Sequence, residues 1–86
     1  MKEIEKLDLK KLTKGQKNFL DTLQIKDEYE QVTNPFSGIT VTLHPMAVAL
    51  YDFIKGCEIL GNYKKFDQAR YIFVELWPDE YMKLLD

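Results

Sequence analysis

The sequence predicts a small α+β domain, mainly α, in which three to four helices carry one β-hairpin. Three observations predict it. Between residues 45 and 76, apolar side chains recur at three- and four-residue spacing, the period of helices with one buried face. Between residues 34 and 43, "NPFSGITVTL" joins turn residues to an alternation that puts Ile39, Val41 and Leu43 on one face and Thr40 and Thr42 on the other, the period of a strand. Finally, 86 residues, 45% apolar and 13% aromatic, can supply one hydrophobic core, so residues 1–86 read as a single domain.

The elements follow in order. Residues 1–12 mix charged and apolar side chains. Ile4, Leu7 and Leu12 would line a short helix, whereas Leu7 and Leu9 alternate as in a strand, so this stretch reads as a loosely held N-terminal arm. "TKGQ" then has the spacing of a capping box, with Thr13 as N-cap and Gln16 reaching back. Phe19, Leu20 and Leu23 continue at helical spacing, which predicts a helix over 14–24. The polar "KDEYE" turns the chain into "YEQVT", the first arm of the hairpin. In "NPFSG", Pro35 fixes φ for a type I turn and Gly38 stands where a positive φ is wanted, a combination that suits a turn followed by a bulge. A lone two-stranded hairpin is barely stable in water. Its Ile39/Val41/Leu43 face must therefore rest on the helices, or its edge must pair with something else.

At "HPMAVAL" the period changes. Pro45 suits the first turn of a helix and pushes His44 into an extended conformation. A helix over 45–60 then presents Met46, Ala47, Leu50, Phe53, Ile54, Cys57 and Leu60 as one core stripe, and Gly61 and Asn62 end it. Tyr63 leads at once into a further run with Phe66, Ala69, Phe73, Leu76 and Trp77 on one side. "RYIFVEL" favours a strand by propensity, but periodicity continuous from Lys64 predicts a helix. Pro78 breaks that helix and opens a short last one. Asp79 and Glu80 suit its positive end, and Tyr81, Leu84 and Leu85 dock it on the core.

Composition excludes several functions. Fourteen acidic against twelve basic side chains leave a net charge of −2, which weighs against a nucleic-acid partner and also against a mimic of DNA. The single cysteine, Cys57, excludes an internal disulfide and fits a reducing compartment. "MKEIEKLDLKKL" lacks the apolar run of a signal peptide or a membrane span, so a cytosolic protein with no membrane partner is expected.

Catalytic chemistry finds little support. His44 is the only histidine, and no nucleophile or orienting carboxylate accompanies it in sequence; its place before Pro45 suits a residue at a helix start. Cys57 lies on the core stripe, the setting of an inert thiol. One His and one Cys do not supply the four ligands of a zinc site, and the glycines are too scattered to cradle a phosphate. A non-enzymatic protein with no cofactor and no metal is expected. At "GNYKKF", Lys64 and Lys65 fall in the first turn of a helix beside Tyr63, an arrangement that could hold a nucleotide or nucleic acid; simple solvation of the lysines is the plainer reading. A helix-turn-helix reader using residues 64–76 would need a polar face, and that face carries Asp67 and Glu75.

What remains is surplus apolar surface. Val48 and Ile59 fall opposite the stripe of the 45–60 helix, Tyr71 falls outside that of the next helix with Val74 at its flank, and Phe36 sits at the hairpin tip. Several such residues on so small a domain predict an interface, with a partner protein or with a second copy of the chain.

From "NPFSG" to the C-terminus, the "NPFSG" turn, "LYDFIKG", "LGNY" and the closing Pro78-x-x-Tyr81-Met82-x-Leu84-Leu85-Asp86 resemble a small uncharacterised protein family of tailed bacteriophages. The likeness covers about the C-terminal three-fifths of the chain. The family has no assigned activity, so no functional residue is carried over. The resemblance implies a context: a viral accessory protein in the cytoplasm of a bacterial host, binding and modulating or inhibiting a host or defence protein. The alternatives are a nucleotide or nucleic-acid binder using Tyr63, Lys64 and Lys65, and a structural homo-oligomer.

Overall fold

A computed structural model describes residues 9–85. It contains α1 (Lys14–Asp21), β1 (Glu30–Thr33), β2 (Thr40–Leu43), α2 (Pro45–Leu60), α3 (Tyr63–Leu76) and α4 (Pro78–Leu84). The fold is a compact α+β domain, mainly helical, with one antiparallel hairpin. It is a flattened body, 35 × 35 × 20 Å.

Local chemistry accounts for where each element starts and stops. The Gln16 N–H donates to Thr13 Oγ1 at 3.1 Å, and the Thr13 N–H donates to Gln16 Oε1 at 2.9 Å, so the capping box is complete. The helix it opens is shorter than the periodicity suggests and ends at Asp21. Thr22 closes it by donating its hydroxyl to the Phe19 carbonyl at 2.6 Å. α2 begins at Pro45 with His44 as N-cap, its Nδ1 accepting the Met46 N–H at 3.1 Å. It ends at Gly61, whose φ of 73° closes the C-terminus in the left-handed region. Residues 63–76 are helical throughout, so tertiary burial overrides the β propensity of "RYIFVEL". The sequence predicts both bounds of α2 and the start of α4 at Pro78.

α2 is the central element. Leu43, Ala47, Leu50, Ile54, Ala69, Ile72 and Phe73 are sealed from solvent, and α2 and α3 form the most extensively packed pair. Leu12 is 5% exposed and belongs to this core, with Leu9 packed at its margin. The expected contributions of Ile4 and Leu7 lie outside the described residues. Phe19 meets Phe53 edge-to-face at 5.2 Å, which docks α1 on α2. A second aromatic run ties the remaining elements. Tyr29 contacts His44 (5.5 Å), His44 stacks on Trp77 (5.9 Å), and Phe73 touches Trp77 (5.8 Å) and Tyr81 (6.3 Å). His44 is thus a buried structural residue, which agrees with its expected place at a helix start.

The hairpin pairs Glu30 with Leu43, Gln31 with Thr42, Val32 with Val41 and Thr33 with Thr40. Leu43 is fully buried, Val41 and Val32 are half-buried, and Gln31, Thr33, Thr40 and Thr42 face water. The two strands therefore rest one face on the helices, β2 lying against both α2 and α4. Ile39, expected on the buried face, lies before the strand and is 43% exposed. The turn also differs from the expected four-residue form. Its closing bond runs from the Gly38 N–H to the Asn34 carbonyl at 2.8 Å, one residue wider than a type I turn, with Gly38 at φ 76°.

Candidate interaction surface

Asn34 builds the hairpin tip. Its backbone N–H donates to the Ile39 carbonyl (2.8 Å), and its Oδ1 accepts the N–H groups of Phe36 (2.8 Å) and Ser37 (3.4 Å). Its Nδ2 donates to the Lys83 carbonyl at 2.9 Å, which ties the turn to α4. The consequence falls on Phe36. Its backbone is pinned within the turn, while its side chain is 96% exposed. A bare aromatic ring is thus carried on a hydrogen-bonded turn. Beside it, Asn34, Ser37, Ile39, Asp79, Met82 and Lys83 line a groove of about 480 Å³ between the tip and α4.

The other residues expected at an interface separate into two groups. Tyr71 (67% exposed) and Val74 (36%) do lie on the outer side of α3. Tyr71 also lines a groove of about 500 Å³ between α1 and α3, together with Thr13, Gln16, Phe19, Gln68 and Ile72. Ile59 is 85% exposed, but at the far end of α2, beside Leu60 (83%) and Tyr63 (69%). Val48 does not belong to the surface at all. It is 5% exposed and part of the core. The error has a physical cause. A helical wheel assigns one buried stripe, whereas α2 packs against both α3 and β2, so its N-terminal half is covered on a second side. The same helix runs past its neighbours at the other end, which leaves Leu60, expected in the core stripe, in solvent.

Tyr63, Lys64 and Lys65 are all exposed at the start of α3, as the nucleotide reading requires. They line none of the three grooves described for the molecule. One amide of that helix start is already spent, since Asn62 Oδ1 accepts the Lys65 N–H at 3.4 Å.

For other chemistry the described residues offer little. No group of three or more His, Cys, Asp or Glu among them is placed to hold a metal ion. Cys57 is buried. The α1–α3 groove is lined by amides, hydroxyls and apolar groups, with no carboxylate, imidazole or amine. Among the described residues, the one carboxyl pushed clearly above its ordinary range is Asp52. Partial burial is the main cause and the nearby Glu30 carboxylate adds to it, while Lys26 acts in the opposite sense. Asp52 still faces water, where α2 meets the hairpin. No described helix is long and apolar enough to cross a membrane.

Asn34, Ile39, Leu60 and Met82 are surface determinants that periodicity alone misses. For Asn34 a signal exists, because an Asn before Pro is a turn former, but its bond to Lys83 spans 49 residues of sequence. Compared with protein families, characterised proteins and solved structures, the chain matches none. The fold and surface therefore define it by class alone: a small, mainly helical α+β domain with a rigid, aromatic-tipped hairpin.

Proposed function

We propose that the protein is a non-enzymatic binding module that modulates or inhibits another protein by inserting Phe36 into it, with Tyr71 and Val74 as a second contact region. One observation carries this reading: a phenylalanine at 96% exposure on a turn whose backbone donates to the Asn34 side chain, which itself donates to the Lys83 carbonyl of α4. A large apolar side chain in water has an unfavourable hydration free energy, which burial in a partner would relieve. Because the turn is already ordered, docking Phe36 requires little further loss of backbone entropy.

The resemblance to a phage family supplies the setting in this proposal: an accessory protein in the host cytoplasm whose partner is a host or defence protein. The test is affinity capture from bacterial lysate, run beside light scattering on the purified chain. The expected result is a stoichiometric partner captured by the wild type and lost in the double variant Phe36→Asp with Tyr71→Asp, which keeps native thermal unfolding. A partner retained by the double variant would overturn the reading. Self-association with no captured partner would replace it with a structural homo-oligomer.

A further inference from the structure

We propose that the corner joining α2 to α3 is a contact for anionic lipid surfaces. This surface is separate from the Phe36 anchor, and the inference does not depend on that reading. Within five residues the corner exposes three large apolar side chains: Ile59 at 85%, Leu60 at 83% and Tyr63 at 69%. Ile59 and Leu60, about 100° apart on the helix, are both bare in the last turn of α2. The left-handed Gly61 turns the chain tightly at that apex. These three side chains are bare to solvent and line none of the three grooves described.

Charge then selects among occupants. Lys64 and Lys65 follow the apolar tip directly and are exposed. The nearest acid on α2, Glu58, is offset by Lys55 at 3.7 Å, and Asp67 lies further along α3. A second copy of the chain docked symmetrically here would bring two pairs of lysines together, which disfavours it. An anionic bilayer matches both features. Ile59 and Leu60 would enter the acyl boundary, Tyr63 would lie at the headgroup level with its hydroxyl in water, and the lysines would face lipid phosphates. Insertion this shallow is reversible and salt-sensitive. It departs from the expectation of no membrane partner, which rested on the absence of the run of about twenty apolar residues that spanning needs.

The test is flotation of the full chain with vesicles of phosphatidylcholine and phosphatidylglycerol, compared with phosphatidylcholine alone. Recovery is expected to be roughly tenfold higher on the anionic vesicles and to fall away in high salt. Ile59→Asp with Leu60→Asp, and separately Lys64→Glu with Lys65→Glu, are expected to reduce recovery to the zwitterionic level, whereas Phe36→Asp floats like the wild type. These side chains are exposed, so circular dichroism should show all variants folded. Equal recovery of the wild type on both vesicles would overturn the proposal. So would undiminished flotation of either corner variant, or a lipid-free dimer that the Ile59/Leu60 variant dissolves, which would assign the corner to a second copy.

Discussion

Asn34 Nδ2 donates to the Lys83 backbone carbonyl at 2.9 Å, and this bond joins the hairpin turn to the last helix across 49 residues of chain. Among the described residues Asn34 is one of two buried polar residues, the other being His44, and both use their side chains to order backbone. Among the described residues no buried side-chain nitrogen or oxygen lacks a partner. Polar groups inside this small core are thus organised by hydrogen bonding, the condition under which burying them is tolerable.

Removing the Asn34 side chain should therefore cost more than a surface substitution. Asn34→Ala deletes the turn acceptor and leaves the Lys83 carbonyl without this donor, an expected loss of about 1–3 kcal/mol. Asn34→Asp keeps the acceptor for Phe36 but sets a carboxylate against that carbonyl, so it should also destabilise. Thermal unfolding would read each kcal/mol as a Tm drop of about 4–8 °C for a domain of this size. An unchanged Tm for Asn34→Ala would show that the tether contributes nothing.

Val48 and Tyr71 provide an opposed pair. Val48→Asp puts a charge into the core and should destabilise by about 3 kcal/mol or more, enough to unfold a marginal domain. Tyr71→Asp, at a side chain 67% exposed, should stay within about 0.5 kcal/mol of the wild type. Urea titration of both variants checks the assignment; equal midpoints would contradict the burial of Val48.

Two glycines of the same helix region should respond in opposite directions. Gly56 is inside α2 with open space where a Cβ would project, so Gly56→Ala should stabilise by about 0.5–1 kcal/mol. Gly61 sits at φ 73°, where a Cβ is strained, so Gly61→Ala should destabilise by about 1–2 kcal/mol. Thermal melts of the two single variants decide it, and a shared sign would be incompatible with the observed C-cap.

Asp52 makes a small contribution to pH dependence. Its folded-state carboxyl holds its proton to a higher pH than the ordinary aspartate value of 3.8. Between the two values the folded chain keeps a proton that the unfolded chain has released, so this residue's contribution to stability declines as pH rises through that window. Asp52→Asn should remove this component and leave the protein slightly more stable at neutral pH. Melts of wild type and variant from about pH 3 upward would expose the difference; a variant less stable at neutral pH would show instead that the carboxylate is favourable.

Much of the architecture was legible from neighbouring residues. The Thr13–Gln16 box, Pro45 at a helix start, Gly61 at a helix end and the Thr40–Leu43 alternation are determined by bonds and torsions within a few residues, and all are found in the structure. Among the candidate interface residues, Phe36, Ile59, Tyr71 and Val74 are exposed as read. Their grouping was not legible, because it depends on where each helix ends relative to its neighbours.

The sequence by itself determined the element types, their caps and breaks, and the supply of one core, because these follow from short-range sterics, hydrogen bonding and apolar periodicity. Only the tertiary structure decided that Val48 is covered, that Leu60 emerges, and that Asn34 grips the backbone of α4. Each of these depends on which surfaces meet across long stretches of chain, and a one-dimensional pattern carries no record of how many neighbours a helix face will have.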